Sequence, residues 1–117
     1  MLYFKSEMHE QGMEQLIQAF GADEVADRHI VSISYLIAAV GKEKSLLPYI
    51  DEVGIDMEGF EQKLLVFSGS EQQMIRFGLQ LYNHELDDIT FPEVVEGLDQ
   101  ENQAALLSVI EYYITYL

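Results

Sequence analysis

The chain has 117 residues, and its 21 acidic against 6 basic residues give a formal net charge of −15 at pH 7. So large a negative charge repels nucleic acids, whose binding depends on Lys and Arg neutralising phosphates, and it therefore argues against direct DNA or RNA binding. With 49% hydrophobic residues, 7 tyrosines and 6 phenylalanines, the composition also excludes a disordered acidic tail and predicts one folded domain over residues 1–117.

Apolar residues at helical spacing begin near the start of the chain. Ser6 is the predicted N-cap of a first helix, which Gly21 ends. A second helix is predicted to begin near Asp27, with the acids Asp23 and Glu24 before it. Because apolar residues lie on all sides of this second helix, we expect it at the centre of the core.

The middle of the chain contains more breaks. The second helix is expected to end at Gly41, and Pro48 predicts a turn or a broken helix before residue 50. Asp56 is a predicted cap for a helix that continues to Phe67. Ser70, with a glutamine three residues later, has the capping-box form and is predicted to open the next helix.

The last third of the chain predicts an acidic loop and two further helices. Thr90 and Glu93 form a capping box with an early proline, and this short helix should end by Gly97. Asp99 is the predicted cap of a last helix. The aromatic and β-branched residues at 112–116 also suit a strand, as do residues 63–67, but both lie at the end of longer helical patterns.

These segments predict an all-α fold, a compact single-domain bundle of five to seven helices. Leu107 and Ile114 are expected to widen the buried stripe of the last helix. The residues expected inside the bundle are Ile33, Ile37, Leu79, Tyr82, Leu106 and Ile110.

Two features of the sequence bear on its cellular location. Cysteine is absent, which excludes disulfides and fits a reducing cytoplasm. No run of about 18 apolar residues occurs, and residues 1–5 lack the apolar core of a signal peptide. We therefore expect a cytoplasmic protein that does not enter a membrane.

The whole chain resembles a known family, mainly through one segment. Ser68-Gly69-Ser70-Glu71, followed by the apolar segment from Met74 to Asn83, is similar to a Ser-Gly-Glu stretch before a helix ending Leu-Tyr-Asn. Phe4 to Glu10 resembles the opening of the same family, and Asp27 to Ala39 resembles its second helix. The family consists of small acidic proteins of Firmicutes and their prophages, classed as a domain of unknown function. The resemblance implies a phage or mobile-element setting and carries no assigned activity.

Histidines and carboxylates raise the alternative of a small metal-dependent protein or enzyme. Candidate metal ligands are His9, His29 and His84, but only His84 has an acid, Asp88, four residues away. A zinc site needs three or four ligands, so the spacing predicts no metal and no other cofactor. His9 and His29 are interpreted instead as polar residues on the first turns of their helices. No catalytic motif accompanies the acids, which favours a protein that is not an enzyme.

Residues 77–117 contain no Lys or Arg and are expected to present a continuous negative surface. Such a surface suits a basic partner, because complementary charges speed encounter and guide orientation. Changing Glu85, Asp87 and Asp88 together to amides should therefore slow association without affecting folding. The acids predicted to bind the partner are Glu85, Asp87, Asp88, Glu93, Glu96, Asp99 and Glu101.

Tyrosines near the end of the chain offer a second interaction surface. Tyr112 and Tyr116 are four residues apart and would form an aromatic face, and tyrosine is enriched at interface centres. The alternative is that both rings lie half-buried at the end of the last helix. The leading hypothesis from the sequence is thus an acidic protein-binding module, whose partner has a basic surface. Its narrower form is a phage-encoded anti-defence inhibitor, such as an anti-CRISPR protein, that occupies the basic channel of a nucleic-acid-binding enzyme.

Overall fold

The computed structural model describes residues 2–22 and 27–116. Within these residues the chain forms seven α-helices, one short 3-10 turn and one two-stranded hairpin. The fold is all-α, as predicted from the periodicity of the apolar residues. The acids Asp23 and Glu24, expected before the second helix, lie outside the described residues.

The first two helices begin at their predicted caps. Helix α1 comprises Glu7–Ala19, and the Ser6 side chain accepts a hydrogen bond from a backbone N–H in its first turn. Helix α2 comprises Arg28–Ala39, and the Asp27 side chain accepts two such bonds. Both caps satisfy N–H groups that have no partner within the helix.

Both helices also end as predicted, at glycines with positive φ. Gly21 has a φ of 75° and Gly41 a φ of 70°. This left-handed conformation is common immediately after a helix and costs glycine little, because it has no Cβ. The two glycines therefore let the chain reverse direction after α1 and after α2.

The segment around Pro48 is a broken helix, which confirms that prediction. Helix α3 comprises only Glu43–Leu46, and a 3-10 turn comprises Leu47–Tyr49. Strands β1 (Ile50–Asp51) and β2 (Gly54–Ile55) follow as an antiparallel hairpin that the helical spacing did not predict.

Helix α4 comprises Met57–Leu64. Asp56 occupies its N-cap position, but the Asp56 side chain makes no capping hydrogen bond. The helix ends one turn earlier than Phe67, because residues 65–67 close it with backbone turns.

Helix α5 comprises Gly69–Tyr82, and its N-cap is Ser68, two residues before the predicted cap. The prediction of Ser70 as the cap is wrong. Ser68 accepts from the backbone N–H of Glu71, and the Glu71 carboxylate accepts in return from the backbone N–H of Ser68. This reciprocal capping box satisfies two N–H groups at once.

The last two helices begin at their predicted caps. Helix α6 comprises Phe91–Val95 and is opened by the Thr90/Glu93 capping box. Helix α7 comprises Gln100–Thr115, with the Asp99 side chain capping it. The alternative of a strand at residues 112–116 is wrong, since α7 includes most of that segment.

Helix α2 lies at the centre of the core and packs against α1, α5 and α7. Its Ile33 and Ile37 belong to a cluster shared with α1, α4 and α5, whereas Tyr35 and Leu36 belong to a second cluster shared with α5, α6 and α7. All four side chains are fully buried. The apolar residues on all sides of α2 therefore place it at the centre of the core, as predicted, and they contribute to two clusters, which was not predicted.

The predicted buried residues divide into two groups. Ile33, Ile37, Leu79 and Leu106 are buried, while Tyr82 and Ile110 pack against the clusters and remain half-buried. The prediction that Leu107 and Ile114 widen the buried stripe is wrong, since they are 65% and 59% exposed. Helix α7 turns these two residues away from α2.

Candidate functional site

Most basic side chains form hydrogen bonds or ion pairs within the fold. The Lys5 Nζ donates to the backbone oxygen of Ala39 and to Asn102 Oδ1, both at 2.8 Å. Arg28 Nη1 donates to the backbone oxygen of Tyr116 at 3.0 Å. These two cations therefore attach the N-terminal segment and α2 to α7.

Two further cations pair with acids on or next to α5. Lys42 Nζ lies 3.6 Å from Glu71 Oε2. Arg76 Nη1 lies 3.3 Å from Glu61 Oε2 and 3.1 Å from Asp87 Oδ2. With Lys5 and Arg28, four of the six basic residues thus contact described parts of the chain. Of these four, only Lys42 and Arg76 pair with described carboxylates, whereas Lys5 and Arg28 bind neutral oxygens and keep their charge.

Asp87 has a structural role inside the loop that precedes α6. Its side chain is 9% exposed, and besides binding Arg76 it accepts a hydrogen bond from the Ile89 N–H at 2.9 Å. Burial opposes the charge of Arg76, but the bonds and charges of Asp87 and Glu61 outweigh it and raise the pKa of the Arg76 guanidinium. Asp87 therefore connects the acidic loop to α5 and adds little free charge to the surface.

Glu93 and Asp99 cap helices and remain exposed. Glu93 Oε1 accepts from the Thr90 N–H at 3.0 Å and from Thr90 Oγ1 at 2.8 Å. These hydrogen bonds lower the pKa of the Glu93 carboxyl. Asp99 Oδ1 accepts from the Asn102 N–H at 2.8 Å. Both carboxylates hold local structure and still face solvent.

The other predicted partner-binding acids are free of such roles. In the described part of the chain, the carboxylates of Glu85, Asp88, Glu96 and Glu101 form neither ion pairs nor hydrogen bonds with side chains or backbone. All four residues are exposed. They are therefore the carboxylates best placed to meet a partner.

Tyr112 and Tyr116 lie at the C-terminal end of α7. Their ring centroids are 4.9 Å apart, and Tyr116 is 64% exposed while Tyr112 is half-buried. Burial raises the pKa of the Tyr112 hydroxyl. Glu101 and Tyr116 are separated by almost the whole length of α7, roughly 22 Å at 1.5 Å per residue. Glu101 and the two tyrosines thus lie at opposite ends of α7.

Phe91 is an exposed aromatic residue in the acidic segment, and the sequence interpretation missed it. Its side chain is 52% exposed, and Val95, one turn later on α6, is 37% exposed. The sequence did contain a signal, because an aromatic residue directly after a capping threonine lies in the first turn of the helix, where only one side faces the core.

His9 lies on the first turn of α1, as predicted, but it is buried and only 3% exposed. The Lys5 N–H donates to His9 Nδ1 at 3.1 Å, and His9 Nε2 lies 3.0 Å from the backbone oxygen of Tyr35. Only the neutral ring with its proton on Nε2 satisfies both contacts. Burial, together with the charge of Lys5, lowers the pKa of His9 despite the Tyr35 contact.

His29 and His84 do not join His9 in a metal site. His29 Nδ1 lies 2.9 Å from the backbone oxygen of Leu81, and His84 is exposed in the loop after α5. Across residues 2–22 and 27–116, no three histidine or carboxylate side chains come close enough together to hold a metal ion.

His9 makes the stability of the fold depend on pH. The unfolded chain takes up a proton on this ring near its ordinary pKa of about 6.5, whereas the folded chain takes it up only at lower pH. The stability that neutral His9 contributes is therefore fully present above pH 6.5. It is lost as the pH falls from there towards the lower pKa of the folded chain. Chemical unfolding between pH 7.5 and 5.5 should show a falling free energy of unfolding, with a limiting slope of about 1.4 kcal/mol per pH unit for one proton.

Two variants isolate the contribution of His9. His9→Gln should flatten the pH dependence, whereas His84→Gln, at an exposed loop position, should leave it unchanged. The range above pH 5.5 avoids most carboxylate titration. An equal slope in the wild type and in His9→Gln would show that His9 is not the titrating group.

The fold and the composition define a small acidic all-α protein with exposed carboxylates in and near α6. No protein-family model, curated protein or solved structure matches the chain. The resemblance to the Firmicutes and prophage family thus stays a prediction. Within the described residues, no helix has both the length and the apolar character that crossing a membrane requires.

Proposed function

We propose that the protein is a non-enzymatic, cytoplasmic binding module that docks its anionic surface on a basic surface of another protein. The observation that carries this proposal is the set of exposed carboxylates without internal partners, which contrasts with the internal engagement of most basic residues. The carboxylates of Glu85, Asp88, Glu96 and Glu101 have no such partner among the described residues, and the exposed capping carboxylates of Glu93 and Asp99 complete the proposed surface.

A rigid anionic surface favours a protein partner with a matching charge pattern. Each exposed carboxylate is screened beyond a Debye length of about 8 Å at physiological salt, so one charge contributes little. The summed field still raises association rates and orients the partner during encounter. The capping roles of Glu93 and Asp99 support the proposal because they fix the direction of their carboxylates.

A narrower form of the proposal concerns the partner. If the resemblance to prophage proteins reflects origin, the basic surface belongs to a nucleic-acid-binding enzyme of the host, and the carboxylates occupy positions that phosphates would otherwise take. The protein would then be an anti-defence inhibitor of the anti-CRISPR kind. Competition between this protein and nucleic acid for the captured enzyme would test that form.

The proposal predicts a loss of association rate when surface charge is removed. The test variant combines Glu85→Gln, Asp88→Asn and Glu96→Gln, and it retains Asp87 because that carboxylate binds Arg76. Basic proteins captured from host lysate at low salt would be purified, and their association measured by stopped flow. We expect association to slow by on the order of 10-fold, with the defect shrinking as salt rises.

A charge-matched variant provides the control for this experiment. Glu10→Gln, Glu14→Gln and Glu58→Gln remove the same number of charges at exposed positions of α1 and α4. This variant should associate at nearly the wild-type rate. Equal slowing in both triple variants would mean that net charge alone acts, and an unchanged rate in the first variant at low salt would reject the proposed surface.

A further inference from the structure

Phe91 and Val95 form an apolar pair on the exposed side of α6. They are 52% and 37% exposed and stand four residues apart, so their side chains are neighbours on one face of the helix. A large exposed aromatic side chain is a recurrent centre of protein interfaces, where a few such residues supply most of the binding energy. Here the pair lies within the anionic surface.

The helix that carries this pair is fixed to the body of the protein. Ile89, Val94 and Leu98 are buried in the second core cluster, and they hold the segment before, within and after α6. The exposure of Phe91 is thus not a consequence of a loosely packed turn. A ring held in place in the free protein loses less conformational entropy when it binds.

Helix α5 adds a second support at the C-terminal end of α6. In the orientation that satisfies both of its polar atoms, the Gln73 amide nitrogen donates to the backbone oxygens of Glu93, at 3.2 Å, and Glu96, at 3.1 Å. These carbonyls lie at the end of a helix, where backbone acceptors have no partner in the next turn. The backbone that carries the apolar pair is therefore fixed at both ends.

Charge determines which occupant suits this apolar pair. Asp88, Glu93 and Glu96 are exposed next to it in the chain, and the nearest base in sequence, Arg76, is already engaged with Glu61 and Asp87. A second copy of the chain would bring two charges of −15 together, which opposes self-association. A partner with apolar and cationic groups side by side would match both the exposed apolar pair and the acids next to it.

A groove beside α6 extends the same surface. It has a volume of about 440 Å³, and Arg76, Asp87, Asp88, Ile89 and Glu93 are among the residues that line it. The positive charge of Arg76 in this groove is already paired with Asp87 and with Glu61 of α4. Carboxylates and an apolar side chain thus line one recess between α5 and the loop before α6. A long basic side chain can place its apolar stem and its charged head there together.

We propose that Phe91 and Val95 are the apolar anchor for a cationic amphipathic helix of the partner protein. The apolar stripe of that helix packs on the two side chains, while its flanking Lys and Arg residues meet Asp88, Glu93 and Glu96. The inference rests on the proposed function and adds the class of partner segment to it. It assigns part of the binding free energy to the apolar contact and the rest to charge.

Two synthetic peptides test the anchor. One is an 18-residue Leu/Lys helix with all leucines on one face, and the other has the same composition in an order that forms no apolar stripe. Titration calorimetry at 50 and 150 mM salt would measure both. The wild type should bind the amphipathic peptide about 10-fold more tightly than the scrambled one, a difference typical of one interface anchor.

Variants of exposed apolar residues identify the surface that binds. Phe91→Gln should abolish the preference for the amphipathic peptide, and Val95→Gln should reduce it. Leu107→Gln, at a 65% exposed position of α7, should retain the preference in full. Thermal unfolding of each variant checks folding, and Val95→Gln provides the test if Phe91→Gln does not fold.

The outcomes distinguish this inference from the proposed function. Equal binding of both peptides by the wild type, or a preference that survives in both Phe91→Gln and Val95→Gln, would overturn the anchor and leave the charge-driven docking intact. Equal losses in Leu107→Gln and Phe91→Gln would place the contact elsewhere and overturn it too. Failure of both peptides to bind at 50 mM salt would count against the proposed function as well.

Discussion

Replacing Ile37 with alanine should lower the free energy of unfolding by about 2–5 kcal/mol. Ile37 is fully buried in the middle of α2, in the cluster that also contains Phe60 and Leu79. The substitution removes three carbon atoms from this cluster and leaves a cavity, because neighbours from α4 and α5 relax only partly into the space.

Equilibrium unfolding in urea, monitored by helical circular dichroism, measures this loss. The control is Ile114→Ala, the same substitution at a 59% exposed position of α7, which should change the free energy of unfolding by less than about 0.5 kcal/mol. If Ile37→Ala behaved like this control, α2 would not form the centre of the core.

The core position of α2 could be predicted because its sequence is apolar on all sides. A helix with that pattern has no face suited to water, so it is surrounded by protein. The caps of α1, α2, α6 and α7 were equally predictable, since Ser6, Asp27, Thr90 and Asp99 act through hydrogen bonds to backbone groups two or three residues away. Both inferences depend on local information alone.

The start of α5 was mispredicted because two capping patterns overlap. Ser68 with Glu71 and Ser70 with Gln73 both have the required spacing. The structure uses the first, and the Gln73 amide instead faces backbone carbonyls of α6. That contact joins two helices, so no local rule could assign it.

By contrast, the hairpin at residues 50–55 had a local signal, because Asp51 and Gly54 occupy the first and last positions of a turn.

The side of α7 that is buried also depends on tertiary packing. Apolar residues cover much of its circumference, and the position of α2 decides that Leu106 is buried while Leu107 and Ile114 are exposed. The same holds for the acidic surface. The sequence predicted its charge, but the pairing of Asp87 with Arg76 depends on how the loop folds back on α5.

The close approach of α2 and α5 at Gly78 predicts a second large effect. A Cβ at this position would lie 3.3 Å from Ile33 Cγ1 and 3.4 Å from Ile33 Cα. An alanine would already press on α2, and a leucine has no room for its further atoms. Gly78→Leu should therefore lower the free energy of unfolding by on the order of 3 kcal/mol or more, through overpacking that forces the two helices apart.

Gly69→Leu is the matched control for this overpacking, since it places the same side chain at the first position of the same helix. A Cβ at Gly69 would meet no atom within 4 Å, so this variant should be as stable as the wild type to within about 0.5 kcal/mol. Urea unfolding of both variants measures the difference in their free energies of unfolding. Because leucine favours helices more than glycine does, a loss of stability at position 78 reflects packing and not helix propensity. Wild-type stability of Gly78→Leu would mean that α2 and α5 have space between them at this crossing, and the close approach of Gly78 to Ile33 would then be wrong.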